Sequence, residues 1–240
     1  MSLPDRLRGL LRGARARGRR PSLDDAPAFW RDYVEAARYV VPRDTPLAEV
    51  EFVVIDTETT GPDHRVDRVV SFAGVRVRGN RIAVADAVDW RVRADVPSQS
   101  ESIEVHGLLH GDLADAMPER RFVERLVNYL ATAILVAYRP GFDMAVINRT
   151  VRHHTAGRLT NRTLDVAELG MRVDYPVKPP FVNPEGYRFD RLCERYDVEQ
   201  PDRHTALGDA FATAELFLKL RHRLAEGGAR TLGDLLRAYR

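Results

Sequence analysis

Phe52-Val-Val-Ile-Asp56-Thr-Glu58-Thr-Thr-Gly61 runs four apolar residues straight into a carboxylate. That pattern predicts a buried strand over residues 52 to 56 that ends at an acid. Side chains alternate along a strand, so Asp56 and Glu58 share one face while Thr57 points to the other. The result is a two-carboxylate platform at a strand end, followed by Gly61, where the backbone is free to turn or to approach a ligand closely. The plainer reading of the same residues is a strand entering a polar turn with solvated acids. Both readings stand on this stretch alone.

Downstream, Val69 to Val77, the pair Gly79-Asn80 and Arg81 to Val92 form two runs around a turn signal. They predict a hairpin, and with the first strand a three-stranded antiparallel meander. Ser98 to Gly111 is polar and carries Glu104, His106 and His110. Phe122, Leu126, Tyr129 and Leu130 mark a helix, Ile134 to Tyr138 a fourth strand, and Leu164-Asp-Val166 a short fifth. Met144, Ile147 and Val151 mark another helix, and further helices are expected at Phe189 to Tyr196, Leu207 to Leu224 and Leu232 to Tyr239. Between them, 174–186 is a proline-rich loop of a length that is often functional. Strands first and strands alternating with helices afterwards indicate a mixed sheet covered by helices.

Upstream, residues 3 to 20 hold seven arginines against the single acid Asp5. This basic arm suits a nucleic-acid backbone or a protein partner, and equally a solvated charge run. Phe29, Trp30, Tyr33, Val34, Ala37 and Val41 mark an amphipathic helix stopped by Pro42, its aromatic face suited to packing on the main domain. The chain has 240 residues, 44% hydrophobic and 30% charged, with a formal charge of +2, enough for one large or two small domains with a core. No apolar run is long enough to span a membrane, and one cysteine, Cys193, fits a reducing cytoplasm.

Two further acids lie at element ends. Asp143 follows the Pro140-Gly141 break and opens a helix, and Asp209 falls in the first turn of the helix that starts after His204-Thr-Ala. A helix N-terminus favours an anion, which is a sufficient local explanation for each acid taken singly. His204 precedes its helix, and an unperturbed imidazole accepts a proton near neutral pH. Three such signals at element ends suggest that they converge.

Asp56-Thr-Glu58-Thr-Thr-Gly61, Phe142-Asp143 and His204-x-Ala-x-x-Asp209 resemble the three motifs of the DEDDh, or DnaQ-like, 3′-to-5′ exonuclease family, which includes the epsilon proofreading subunit of bacterial DNA polymerase III. The similarity covers roughly residues 50 to 222, and the segment from Arg203 to Phe217 is similar to stand-alone bacterial members. Val105-His106-Gly107 matches a further element of the family. One departure stands out: where much of the family has His-Asn ahead of Phe-Asp, this chain has Tyr138-Arg139.

The resemblance implies a ribonuclease H-like α/β fold with a mixed five-stranded sheet, an antiparallel meander plus parallel strands, flanked by helices. It implies residues 49–225 as the exonuclease domain, 1–48 as an extension of basic arm and amphipathic helix, and 226–240 as a C-terminal helix packing on or extending that domain. It also implies two divalent cations, Mg²⁺ or Mn²⁺, held by Asp56, Glu58, Asp143 and Asp209. Hard ions take oxygen ligands, and a pair of them roughly 3.5–4 Å apart supports in-line displacement at phosphorus. Asp56 is implied to bridge both ions, Glu58 and Asp209 to help hold one, and Asp143 to assist the other. His204 is the implied base for the attacking water. Thr59, Thr60, His106 and Phe142 are the implied nucleotide contacts, with core packing the alternative for Phe142.

The implied substrate is the 3′ end of single-stranded or frayed DNA, ahead of RNA, with nucleoside 5′-monophosphate as product. Implied partners are a polymerase or another replication or repair protein, reached through the N-terminal arm or the 174–186 loop. The alternatives are an RNA-trimming exoribonuclease and a binding module without chemistry on the same fold. All five catalytic-type residues are present, which argues against the latter, since an idle acidic cluster only repels phosphate.

Overall fold

The computed structural model describes residues 23–239 apart from 96, 109, 114 and 156. The arginine-rich arm expected over residues 3 to 20 lies outside the described residues. The strands are β1 (Glu51–Thr59), β2 (Val69–Arg78), β3 (Arg81–Arg93), β4 (Met117–Pro118), β5 (Ile134–Ala137) and β6 (Thr163–Asp165), in the spatial order β4-β3-β2-β1-β5-β6. The expected meander is present: β2 pairs antiparallel with β1 and with β3, and Gly79, at φ 55°, helps close the turn. On the other side β5 lies parallel to β1, and β6 lies parallel to β5. The sheet has one strand more than the five expected, because the two-residue β4 pairs with the end of β3. Two residues, one of them proline, carry no alternation that a sequence reading can detect.

Alternation along β1 sets the two cores. Phe52 and Val54 face one cluster with Leu216, Phe217 and Leu220, whereas Val53 and Ile55 face a second with Phe122, Leu126 and Ile147. The first layer contains α5 (Val166–Asp174), α6 (Phe189–Arg195) and α7 (Ala206–Glu226). The second contains α1 (Ala28–Ala36), α3 (Glu119–Leu130) and α4 (Gly141–Thr155), and the short α2 (Ser100–His106) lies between β3 and β4 in the chain. Fully burying a side chain of this size is worth about 1.5–3 kcal/mol. A one-residue slip of β1 would turn every one of these residues to the wrong layer, so the register is firmly set. The same parity decides which layer each acid beyond Ile55 must face.

Several elements differ from the sequence reading. The last helix is only α8 (Leu232–Leu235), not Leu232 to Tyr239. The Arg172 guanidinium donates to the Leu235 and Asp234 carbonyls at 2.7 and 2.6 Å, taking acceptors that a further helical turn would use. Helix α5 was not expected, because Leu164-Asp-Val166 read as strand throughout. In fact Asp165 ends β6 and caps α5 by accepting from Ala167 N at 2.9 Å. An acid with Glu168 three residues on is a helix-start signature, so the signal was there. Helix α2 was likewise read only as a polar stretch.

Helix α1 places Trp30 and Tyr33 in the second core, as its aromatic face suggested. Tyr33 Oη donates to Asn161 Oδ1 at 2.8 Å and accepts from Thr160 N at 2.8 Å. At the other terminus, Leu232 N donates to Thr45 O at 2.9 Å, and Pro46 bridges Thr231. Thus α1 is bonded to residues 160–161, and the segment at Thr45-Pro46 is bonded to the start of α8. Among the described residues, no helix is long and apolar enough to cross a membrane.

Candidate active site

The C-terminal end of β1 emerges between the two helical layers. Parity puts Asp56 and Glu58 on the α7 side, the side that Val54 faces. Helix α7 starts at an N-cap, Thr205, whose side chain accepts from Gly208 N, so Asp209 falls in the first turn and is 8% exposed. One carboxylate oxygen each from Asp56, Glu58 and Asp209 lie within 4.8 Å of one another.

Asp143 reaches the same strand end from the opposite layer. It sits in the first turn of α4, is 9% exposed, and its Oδ1 accepts a 2.6 Å hydrogen bond from Thr57 Oγ1. Three of the four acids are therefore mutually close. The fourth stands next to them, close enough to push the pKa of Asp56 up, with its carboxylate tied to the far side of β1.

The electrostatics follow from crowding acids out of water. Burial, then the Asp143, Asp209 and Glu58 charges, hold the Asp56 carboxyl well above the usual range. Burial and the neighbouring Asp209 and Asp143 charges push Glu58 up to about 8. Burial raises Asp143 to about 6 against the opposing Thr57 hydrogen bond, and raises Asp209 against the nearby Arg203 and His204 charges. A divalent cation would relieve this repulsion. The donor set fits one: it is all oxygen, as hard ions require, and Asp209 Oδ1 is buried without a hydrogen-bond partner among the described residues.

Arg203 is the cation beside these acids, and the sequence reading gave it no role. Its Nη1 bonds Asp209 Oδ2, its Nε donates to Asp190 Oδ1 at 3.1 Å, and its guanidinium lies 5.0 Å from the Phe189 ring centroid. His204 follows with a left-handed backbone, φ 67°, and an exposed side chain. The loop is pressed onto the helix start, since a Cβ on Gly208 would lie 2.2 Å from the Asp202 carbonyl oxygen.

The residues expected to touch a nucleotide divide. Thr59 is 9% exposed and its hydroxyl donates to Gly61 O at 2.8 Å. Thr60 is fully buried; its hydroxyl donates to Asp67 Oδ1 at 2.8 Å and accepts from Arg68 N at 3.0 Å, while its carbonyl accepts from Gln99 N at 2.7 Å. Thr60 is thus a loop anchor, with every polar group used internally. His106 is 8% exposed at the end of α2; its Nδ1 accepts from Leu108 N at 3.0 Å, and its Nε2 has no hydrogen-bond partner among the described residues. Burial lowers its pKa, against the favourable backbone of Thr59. Phe142 is half-buried against the second core, with the His64 ring 6.5 Å away edge-on.

The departure at Tyr138-Arg139 has a local explanation. Tyr138 packs against Phe189 at 5.3 Å between ring centroids, and the Arg139 guanidinium lies 5.2 Å from the Tyr138 ring. Arg139 takes φ 50°, and its N–H donates to Asp165 Oδ1 at 3.0 Å. These contacts tie the end of β5 to α6 and to the end of β6.

The sequence profile of the RNase_T family, described as an exonuclease, matches residues 53–217. A DNA polymerase III subunit epsilon-like protein of Rhodobacter capsulatus is 34% identical over 202 residues, 82% of this chain and 27% of that protein. The PolC-type DNA polymerase III of Halalkalibacterium halodurans is 31% identical over 179 residues, 73% of this chain and 12% of that protein. The chain therefore spans about a quarter or less of the length of these relatives. Among solved structures, the zinc-ion-bound form of an E. coli exonuclease I complex with single-stranded DNA superposes with a TM-score of 0.62 at 21% identity, over 74% of this chain and 41% of that one. At that identity the likeness concerns the fold. With the matched residues running from the middle of β1 into α7 and enclosing all four acids, the chain belongs to the RNase_T exonuclease family.

Proposed function

We propose that this protein is a metal-dependent 3′-to-5′ exonuclease that shortens single-stranded or frayed DNA and releases nucleoside 5′-monophosphates. The observation that carries the reading is the approach of Asp56, Glu58 and Asp209 to within 4.8 Å in a member of an exonuclease family. Those three carboxylates would hold a first divalent ion, and Asp143, released from Thr57 or through a bridging water, would assist a second. Such ions, Mg²⁺ or Mn²⁺, supply a nucleophile at neutral pH and charge stabilisation at the phosphate.

His204 is the group assigned to take the proton from the attacking water. Its side chain is exposed, and it directly precedes the α7 cap Thr205. Phe142, half-buried beside the acids, and the buried His106 are the groups assigned to the terminal nucleotide. Residues 49–225 form the catalytic domain in this reading, with 1–48 and 226–240 as flanking segments. Val177 and Phe181, 79% and 78% exposed on the proline-rich loop, are the surface assigned to a protein partner such as a polymerase.

The test is digestion of a 5′-labelled oligonucleotide in Mg²⁺ or Mn²⁺. A ladder of products shortened from the 3′ end, abolished by Asp56→Ala, is the expected outcome. No cleavage in either metal, with substrate bound, would overturn the proposal. Matched DNA and RNA oligomers run in parallel decide the sugar preference, because contacts to phosphate do not read the 2′-hydroxyl.

A further inference from the structure

Arg203 does more than balance charge. Asp209 has two oxygens with different surroundings: Oδ2 is bonded by Arg203 Nη1, while Oδ1 is buried with no hydrogen-bond partner among the described residues. The guanidinium is itself fixed at two further points, the Asp190 carboxylate at 3.1 Å and the face of Phe189 at 5.0 Å. Its side chain is 30% exposed, between Asp209 at 11% and Asp190 at 60%, so the ion-pair chain runs from a sheltered partner to an exposed one. Backbone geometry contributes as well: the left-handed turn at His204 and the close approach of Asp202 to Gly208 fold this loop back over the first turn of α7.

Resting on the metal-site reading above, we infer that Arg203 is a positioning residue for the metal centre. It grips Asp209 by Oδ2 and so leaves Oδ1 as the oxygen free to join Asp56 and Glu58 around an ion. A carboxylate on a first helical turn has rotational freedom about its last bond, and a planar guanidinium anchored at its other end removes it. Asp190 acts one step further out, by holding the guanidinium. Hydrogen-bond partners of ligating carboxylates typically contribute 10–100-fold to metal affinity or activity.

A cation this near an ion site also repels the ion, so the opposite sign is a real alternative, and the two are separable by binding alone. Mn²⁺ affinity is read from the free-ion signal in electron paramagnetic resonance, with no substrate present, for wild type, Arg203→Ala, Arg203→Lys and Asp190→Asn. Positioning by Arg203 predicts Mn²⁺ affinity weaker by about 10–100-fold in Arg203→Ala. Arg203→Lys, which keeps the charge without the fork, falls between it and wild type, and Asp190→Asn weakens binding by less than Arg203→Ala. Unchanged or tighter binding in a folded Arg203→Ala protein overturns the inference, since the arginine would then be a structural tie or a competitor. If Arg203→Ala does not fold, Asp190→Asn at its exposed position decides, and unchanged affinity there overturns the inference equally. Wild-type protein that binds no Mn²⁺ overturns the metal-site reading itself and this inference with it.

Discussion

Thr57 Oγ1 donates a 2.6 Å hydrogen bond to Asp143 Oδ1 across the end of the sheet. Asp56 and Glu58 face α7, so the intervening threonine faces α4, and the acid that opens α4 meets it there. The hydroxyl favours the ionised form of Asp143 while burial opposes it, leaving that carboxyl at about 6. A threonine between two catalytic-type acids is therefore placed to tune a third.

Replacing Thr57 by valine keeps the shape of the side chain and removes the donor. Ionised Asp143 loses stabilisation, so its pKa climbs further above the usual carboxylate range. A hydrogen bond to a charged group nets about 1.5–3 kcal/mol, so the acid limb of the rate–pH profile should move up by about 1–2 pH units. The rate should recover at pH values where the acid is fully ionised. An acid limb that stays in place in Thr57→Val would mean that Asp143 has left Thr57 in the working enzyme or takes no part in the rate-determining chemistry.

Asp56→Asn should separate activity from stability. Ion ligation at phosphate chemistry is worth several kcal/mol, so losing the central ligand should cut turnover by about 10³-fold or more. In EDTA at pH 8 the same change removes a carboxylate whose charge burial and three neighbouring acids disfavour. The thermal midpoint should rise, by about 2–4 °C for each kcal/mol gained in a chain of this size. A midpoint that falls in EDTA would mean that the acids are not in net repulsion.

Much of this arrangement was legible in the chain itself, and the reasons are local. Four apolar residues ahead of Asp56 announce β1, and strand parity announces that Asp56 and Glu58 share a face. Helix starts at Asp143 and Asp209 carry their own punctuation, Pro140-Gly141 and Thr205. What was not legible depends on which layer a helix joins. Thr57 was read as pointing away, which it does, but only the placement of α4 gives it Asp143 as a partner. Arg203 was visible beside His204, yet its contact with Asp209 needs a left-handed turn at a histidine, a conformation that no composition signals. The edge strand β4 and the short α8 escaped for a related reason, since one is set by pairing and the other by an arginine from α5.

Proton linkage gives the metal-free protein an unusual pH dependence. Glu58 titrates at about 8 in the folded chain, against 4.5 for an unperturbed side chain. Between those values the folded state keeps a proton that the unfolded state has released. Stability therefore falls as pH rises from about 4.5 to about 8, and levels off above. The raised carboxyls of Asp143 and Asp56 act in the same sense. Thermal melts in EDTA at pH 5, 7 and 9 should show midpoints that descend in that order. Excess Mg²⁺, which binds the deprotonated acids, should flatten or reverse the slope. Midpoints in EDTA that climb through this window would contradict the raised carboxyls.

Gly208→Ala tests whether the loop holding Arg203 and His204 must lie where it does. Helix propensity alone favours alanine over glycine by about 0.8–1.0 kcal/mol, so a site with room would gain stability. Here the new Cβ would stand 2.2 Å from the Asp202 carbonyl oxygen, a backbone atom that has no rotamer to escape into. Something must shift, and the 202–205 segment is the exposed partner, whereas α7 is packed along its length against β1 and β2. Moving that segment carries both the Asp209 clamp and the proposed base away from the acids. The overpacking cost of about 1–3 kcal/mol should outweigh the propensity gain. The variant should melt lower than wild type, and its turnover should drop toward that of His204→Ala, itself reduced by about 10²–10⁴-fold. A Gly208→Ala protein of higher stability and unchanged turnover would mean that the segment can move freely, and that Arg203 and His204 act without a fixed loop to hold them.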